Sequence, residues 1–235
     1  NSTLETHKLS VSVGGNLTVN AGGRIDATSR GYNGGQGPGA AGQYNGAGHG
    51  GEAYRNILGP TYGSIVAPTN LGSGGGSSAA WTGGGAIRLA VHGATTNNGA
   101  IAVDGTGGSG DGGGGAGGSV YLVTGALAGN GVISANGGNR TGATAGGGGG
   151  GRIAVLVTNG TDFGTVSMSA VGGTGGGAPA GAAGTIYTKT MAQTYGALLV
   201  NNGSNAVITA RTTITNGTWQ FDTIMTTNRG LFMVA

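Results

Sequence analysis

Four short aliphatic stretches begin at Ile87, Val120, Ile153 and Ile186, a constant interval of 33 residues, and a glycine-rich segment occupies every interval. A fixed period of this size means that one structural unit is stacked on copies of itself, each unit completing its neighbour's core. The unit reads as two short strands and one glycine-rich arm. One copy comprises residues 87–91, a turn at Asn97-Asn98-Gly99, residues 101–104 and a spacer over 105–118. The next comprises 120–123, a turn ending at Gly131, 132–136 and a spacer to Gly151. A third has 153–157, Asn159-Gly160, 166–169 and a spacer to Gly184, and a fourth opens with Ile186-Tyr187-Thr188.

Side chains alternate across a strand, so the same stretches assign faces. Ile87, Leu89 and Val91 point one way with Val120, Leu122, Ile153, Val155, Val157 and Ile186, forming inward aliphatic columns. Arg88, Tyr121, Ala154 and Tyr187 then form a mostly exposed ladder, with an Arg beside a Tyr in cation–π position. The arms hold glycines three apart, at Gly31, Gly34 and Gly37 and at Gly172, Gly175, Gly181 and Gly184, with Ala178 in the skipped place. Three residues per turn is the polyproline II period, which has no internal hydrogen bonds, so arms of this kind are expected to pack side by side as left-handed glycine helices.

Composition restricts the function classes. The chain has 60 Gly in 235 residues, only 7 % charged residues and 4 Pro, and the glycines keep no strict collagen period. Its 37 % hydrophobic residues cluster into strand-sized runs, which separates it from disordered linkers. Ten Lys+Arg against seven Asp+Glu give a net charge of +3 from scattered basic residues, so no nucleic-acid partner is expected. Zero cysteines exclude disulfide frameworks and Cys-ligated zinc or iron–sulfur centres. No apolar run approaches the ~20 residues that span a bilayer, so membrane insertion is not expected. A chain opening at Asn1 without a basic and apolar leader reads as a processed mature chain or an excised fragment.

Both ends read as partial rungs. Residues 9–13, 17–19 and 25–28 alternate cleanly, and residues 197–200, 206–208, 212–214, 219–221 and 231–234 continue as short strands without long glycine spacers. Residues 1–190 thus form the repeat region, residues 191–235 its C-terminal short-strand rungs, and residues 52–84 an insertion. Exposed strand edges invite pairing. Leu9, Val11, Val13, Leu17 and Val19 at one end, and Leu231, Phe232, Met233 and Val234 at the other, are the candidate assembly interface. The insertion breaks the pattern with Tyr54, Arg55, Tyr62 and Trp81, an aromatic and basic set suited to stacking on a sugar and hence the candidate glycan site.

Catalytic constellations are thin. GxGxxG matches follow from glycine frequency alone, and no phosphate-loop lysine is present. The stretch from Gly107 to Asp111 lacks the Asp spacing of a calcium repeat, and His7, His49 and His92 stand singly. Asp26, Asp104, Asp111, Asp162 and Asp222 do not pair at spacings that unite two carboxylates. No enzyme activity, metal or cofactor is therefore expected. Six Asn-x-Ser/Thr sequons, at Asn1, Asn16, Asn139, Asn159, Asn202 and Asn216, are candidate N-glycosylation sites.

Gly-Gly-Ser-Val-Tyr-Leu (117–122), Gly-Val-Ile-Ser-Ala-Asn-Gly-Gly (131–138) and Gly-Gly-Gly-Arg-Ile-Ala-Val (149–155) resemble the glycine-rich repeats of large secreted β-solenoid proteins and bacterial surface adhesins. The resemblance covers roughly residues 9 to 190, concerns architecture, and brings no catalytic residue with it. It implies surface display or adhesion. The expected molecule is an all-β, elongated parallel β-solenoid with ~33-residue coils, located outside the cell or on its surface. Its expected role is a structural or adhesive filament subunit, partnered head to tail by copies of itself through terminal strands. The alternatives are a glycan-binding adhesin module that uses the insertion, with surface glycans as partners, and a polysaccharide-active β-helix enzyme.

Overall fold

The computed structural model describes residues 7–54, 56–76, 79–110, 112–140, 145–175, 179–203, 205, 210–214 and 217–234. Its regular elements are strands: β1 (Lys8–Val13), β2 (Leu17–Val19), β3 (Arg24–Asp26), β4 (Ala53–Tyr54), β5 (Leu58–Gly59), β6 (Ala86–Asn97), β7 (Ala100–Ala102) and β8 (Ser119–Ala128). They continue as β9 (Val132–Ser134), β10 (Arg152–Val157), β11 (Ser167–Ser169), β12 (Thr185–Lys189), β13 (Ala197–Asn201), β14 (Thr212–Ile214), β15 (Thr223–Thr227) and β16 (Phe232–Val234). An eight-stranded sheet runs β1-β6-β8-β10-β12-β13-β15, with β2 also paired to β6; a four-stranded sheet runs β11-β9-β7-β3. Two-stranded sheets join β14 to β16 and β4 to β5.

The 33-residue interval is the register of the large sheet. Ile87 pairs with Val120, Val120 with Ile153 and Ile153 with Ile186, all in parallel strands. The same alternation that puts these residues on one face buries them against the four-stranded sheet, where Ile101, Val103, Ile133 and Ala135 supply the other wall. At about 25 cal/mol per Å² of apolar surface removed from water, this shared core is the main stabilising element of the repeat region.

The expected elongated parallel β-solenoid is corrected. The large sheet does not continue as one coil: β13 returns antiparallel to β12, pairing Ile186 with Leu199, and β15 then runs parallel to β13. β14 and β16 leave it for a sheet of their own. The glycine arms also depart from coil order. Residues 46–51, from the first arm, lie among the later ones, with Ala47 N–H donating to Gly114, Gly50 N–H to Gly150, and Gly149 N–H to Ala47. The result is a mostly parallel sheet, further small sheets and an interwoven glycine layer. The reason is that glycine segments carry donors and acceptors on every side, so a segment distant in sequence fits between two coils as well as a sequential neighbour does.

Backbone fills the space where side chains would stand in this layer. A Cβ placed on Gly148 would lie 2.1 Å from the Gly115 carbonyl oxygen, and one on Gly181 would lie 2.0 Å from that of Gly148. Every third residue faces the same neighbour: Gly148 and Gly151 oppose Gly115 and Gly118, while Gly147 and Gly150 oppose Gly173 and Ala170. Hydrogen bonds run between segments, as from Gly117 N–H to Gly149 and from Gly150 N–H to Ala182.

Two further expectations change. Ala154 and Tyr187 of the outward ladder are buried, at 0 % and 5 % exposure, in a second core that they form with Leu198 and Val200 of the same sheet and with Ile65 and Ile214. Residues 219–221 form no strand; Trp219 and Phe221 instead stack their rings in parallel, 6.3 Å apart, over this second core. The expected strand at 206–208 lies outside the described residues.

Gly148→Ala is expected to destabilise the fold by more than about 3 kcal/mol, because the neighbour that must move is main chain. Gly14→Ala, whose Cβ meets nothing within 4 Å, should change stability by less than about 0.5 kcal/mol. Urea denaturation of both variants checks the contrast.

Candidate functional site

The large sheet ends in two open edges. Along its inner face one column runs Leu9, Ile87, Val120, Ile153, Ile186, Leu199, Met225 in continuous register. The residues from Ile87 to Ile186 are at most 4 % exposed, whereas Leu9 at one end is 43 % exposed and Met225 at the other 53 %. Among the described residues β1 has a partner on one side alone, and so has β15, which also exposes Ile224. Val11, Val13 and Leu17 pack half-buried on the core, and Val19 is buried. Leu231, Phe232, Met233 and Val234 lie in or beside β16, which pairs with β14 and not with the large sheet; Leu231 and Val234 are exposed. Sequence reading passed over residues 223–227 because Thr-rich strands with one apolar pair carry a weak alternation signal.

The insertion's aromatic residues are not gathered into one platform. Tyr62 turns inward, its hydroxyl donating to the Leu71 carbonyl at 2.6 Å and lying 2.8 Å from Ser73 Oγ. Its ring lies 4.6 Å from that of His49. Trp81 lies elsewhere, against Gly76 and Gly112, and the two rings make no contact with each other. Tyr54 belongs to β4, and Arg55 lies outside the described residues.

Around Tyr62 the chain encloses a polar cluster. Segment 61–70 lies on the outer face of the sheet, where Arg152, at the start of β10, donates from Nε to the Tyr62 carbonyl and from Nη1 to Thr185 Oγ1. Burial pushes the Arg152 guanidinium down to about 10, with the neighbouring Tyr62 opposing the shift. Burial likewise raises the Tyr62 phenol well above its ordinary range. His49 is fully enclosed; its Nδ1 lies 2.7 Å from the Gly117 carbonyl, which can only accept, so Nδ1 carries the proton and Nε2 is left without a partner. Burial, then the Arg152 charge, pushes His49 down to about 3. A cavity of about 40 Å³ adjoins Arg152, Thr61, Tyr62 and Trp219, room for one water molecule.

Of the sequons, Asn16, Asn139 and Asn159 are exposed, although Asn16 Oδ1 accepts from Ala94 N–H and Asn139 Oδ1 from Thr174 N–H. Asn202 is fully buried, its amide bonded to Gly172 and Gly181, which leaves no room for a glycan in the folded chain. Asn1 and Asn216 lie outside the described residues. Among the described residues no three His, Asp or Glu side chains converge on a metal position. No family model, curated protein or solved structure matches the chain.

The depressed His49 value fixes a pH dependence. Its stability contribution is complete above the unfolded value of about 6.5 and is lost as pH falls from there towards about 3, because the unfolded chain binds the proton first. Wild type should therefore lose up to about 1.4 kcal/mol per pH unit in that window relative to His49→Asn, which keeps a donor for Gly117. Urea midpoints for both proteins between pH 7 and pH 4 test this; parallel curves would refute it.

Proposed function

We propose that this chain is an extracellular structural and adhesive element that assembles head to tail by strand addition. The observation that carries the reading is the aliphatic column that is closed throughout its middle and open at both ends, at Leu9 and at Met225. An edge with an unfilled apolar position is a template for another strand. Because β15 is antiparallel to β1 in the sheet order, a second copy added in the same orientation meets it through an antiparallel joint.

Continuing the column then fixes the register: Met225 opposes Leu9 of the next copy, Ile224 opposes Ser10 and Thr223 opposes Val11. The joint uses residues 223–227 rather than 231–234, since the former belong to the sheet that β1 begins. Such a contact is heterologous and does not close, so it propagates into a filament. The location outside the cell rests on the resemblance of residues 117–122, 131–138 and 149–155 to secreted repeats.

Negative-stain microscopy is expected to show long uniform filaments for wild type and dispersed particles for Leu9→Lys and for Met225→Lys. The absence of native cysteine makes the joint directly readable. Opposed antiparallel residues lie about 5 Å apart at Cα, within disulfide range. Ser10→Cys combined with Ile224→Cys should therefore give an oxidant-dependent ladder of covalent oligomers, and either single variant a dimer at most. Dispersed wild-type particles would overturn assembly itself; filaments without a ladder would overturn this joint.

A further inference from the structure

Eight Asn-Gly pairs punctuate the chain, and all but Asn216-Gly217 lie wholly within the described residues. With no Cβ on the second residue, the glycine nitrogen has open access to the carboxamide of the asparagine before it. At six of the seven described pairs the fold holds the peptide that joins the two residues. Gly131 N–H donates to the Asn97 carbonyl, Gly137 N–H to Val171, Gly99 N–H to Asn97 Oδ1 and Gly203 N–H to Asn201 Oδ1. At Asn33 and Asn45 the carbonyl of that peptide is held instead, by Gln36 N–H and by Gly76 N–H, and Asn45 is also buried. Asn159-Gly160 is the exception: neither the Asn159 carbonyl nor the Gly160 N–H meets a hydrogen-bond partner among the described residues, and the Asn159 side chain is exposed with its carboxamide bound to nothing. The turn is nevertheless anchored on either side of this free peptide, by Asn159 N–H on the Gly125 carbonyl at 2.8 Å and by Met191 N–H on the Gly160 carbonyl at 3.4 Å. It follows β10, in the middle of the large sheet, so strand addition at either edge leaves it open to solvent.

We propose that Asn159 is a self-modifying site, at which the carboxamide becomes a carboxylate through attack by its own main chain. The Gly160 nitrogen gives its proton to solvent base and bonds to Asn159 Cγ; the Cγ–N bond of the carboxamide breaks, and that nitrogen takes up a proton and leaves as ammonia. Water then opens the resulting succinimide ring. Addition at Cγ leaves aspartate, and addition at the main-chain carbonyl leaves isoaspartate, with the chain now running through the side chain. One water enters, one ammonia leaves, and nothing is oxidised or reduced. Both reacting groups belong to one dipeptide, so proximity supplies what a separate catalyst otherwise would. At the other pairs the peptide must first be released, and each hydrogen bond that holds it lowers the reactive fraction by about tenfold. Conversion lowers the net charge of +3 by one and places the new carboxylate in an open cleft that His92 and Thr158 also line. Asn159-Gly160-Thr161 is also a sequon, and a glycan on the carboxamide nitrogen would hold that nitrogen in place, so the two fates exclude each other.

Peptide mapping by mass spectrometry, after incubation of the folded, glycan-free chain in mildly alkaline buffer made with heavy-oxygen water, tests the assignment, since each ring that opens takes up one labelled oxygen. Asn159 is expected to convert at least about tenfold faster than the other described pairs. It should yield both aspartate and isoaspartate, and the rate should rise with pH as the Gly160 amide proton is lost more readily. In concentrated urea, with the fold removed, all the pairs should convert at comparable rates. Asn159→Gln, whose longer side chain disfavours the ring, should silence the fast site, whereas Asn33→Gln should leave its rate unchanged. Conversion of Asn159 no faster than that of Asn136 or Asn202 in the folded chain, or an equal preference for Asn159 in urea, would overturn the proposal.

Discussion

Backbone-to-backbone contact in the glycine layer is the constraint on which the rest of the structure depends. Where a Cβ would stand there is a carbonyl oxygen about 2 Å away, at Gly46, Gly113, Gly147, Gly172 and Gly173 among others. No side chain fits at these glycines, and many main-chain donors of the layer find their acceptor on a neighbouring segment rather than in their own. Glycine gives up the most conformational freedom on folding, so such segments order only when several neighbours satisfy them together. That cooperativity lets the layer hold the starts of β8, β10 and β12 at a common level. Ser119, Arg152 and Thr185 each directly follow a glycine, Gly118, Gly151 and Gly184, and they pair in register. Alanine appears inside the layer at Ala116, Ala182 and Ala183, buried at positions with room for a methyl group.

The inner core was legible from the sequence because both of its determinants are local: a 33-residue interval and alternation within five-residue runs. The outer face was not, because burial there depends on what crosses it. The Ile65 segment lies on Ala154 and Tyr187, and Arg152 binds the Tyr62 carbonyl from 90 residues away. No local pattern in residues 152–157 announces that cover. The reversal at β13 did have a signal. A parallel return needs a connection of about a dozen residues or more, and residues 190–196, between β12 and β13, hold no glycine arm to supply it. A hairpin was the remaining solution, with Gly196 at φ 78° closing the turn.

The polar cluster at Arg152 shows how that outer cover is secured. A buried guanidinium is costly unless its donors are satisfied, and here they meet neutral oxygens, the Tyr62 carbonyl and the Thr185 hydroxyl. Replacing those partners with water would require opening the contact between segment 61–70 and the sheet. The charge therefore fixes where the insertion lies more than it adds net stability. His49 belongs to the same arrangement: a neutral imidazole between a tyrosine ring and a glycine carbonyl tolerates a nearby cation that a protonated one would repel.

Scarcity of charge gives each remaining ionisable group a definite role. The described carboxylates accept hydrogen bonds from their own surroundings, most of them from main-chain N–H groups at turns and strand ends, where a short acceptor completes the backbone's bonding. Glu52 accepts from Arg211 N–H and Thr213 Oγ1, tying the insertion to the C-terminal strands.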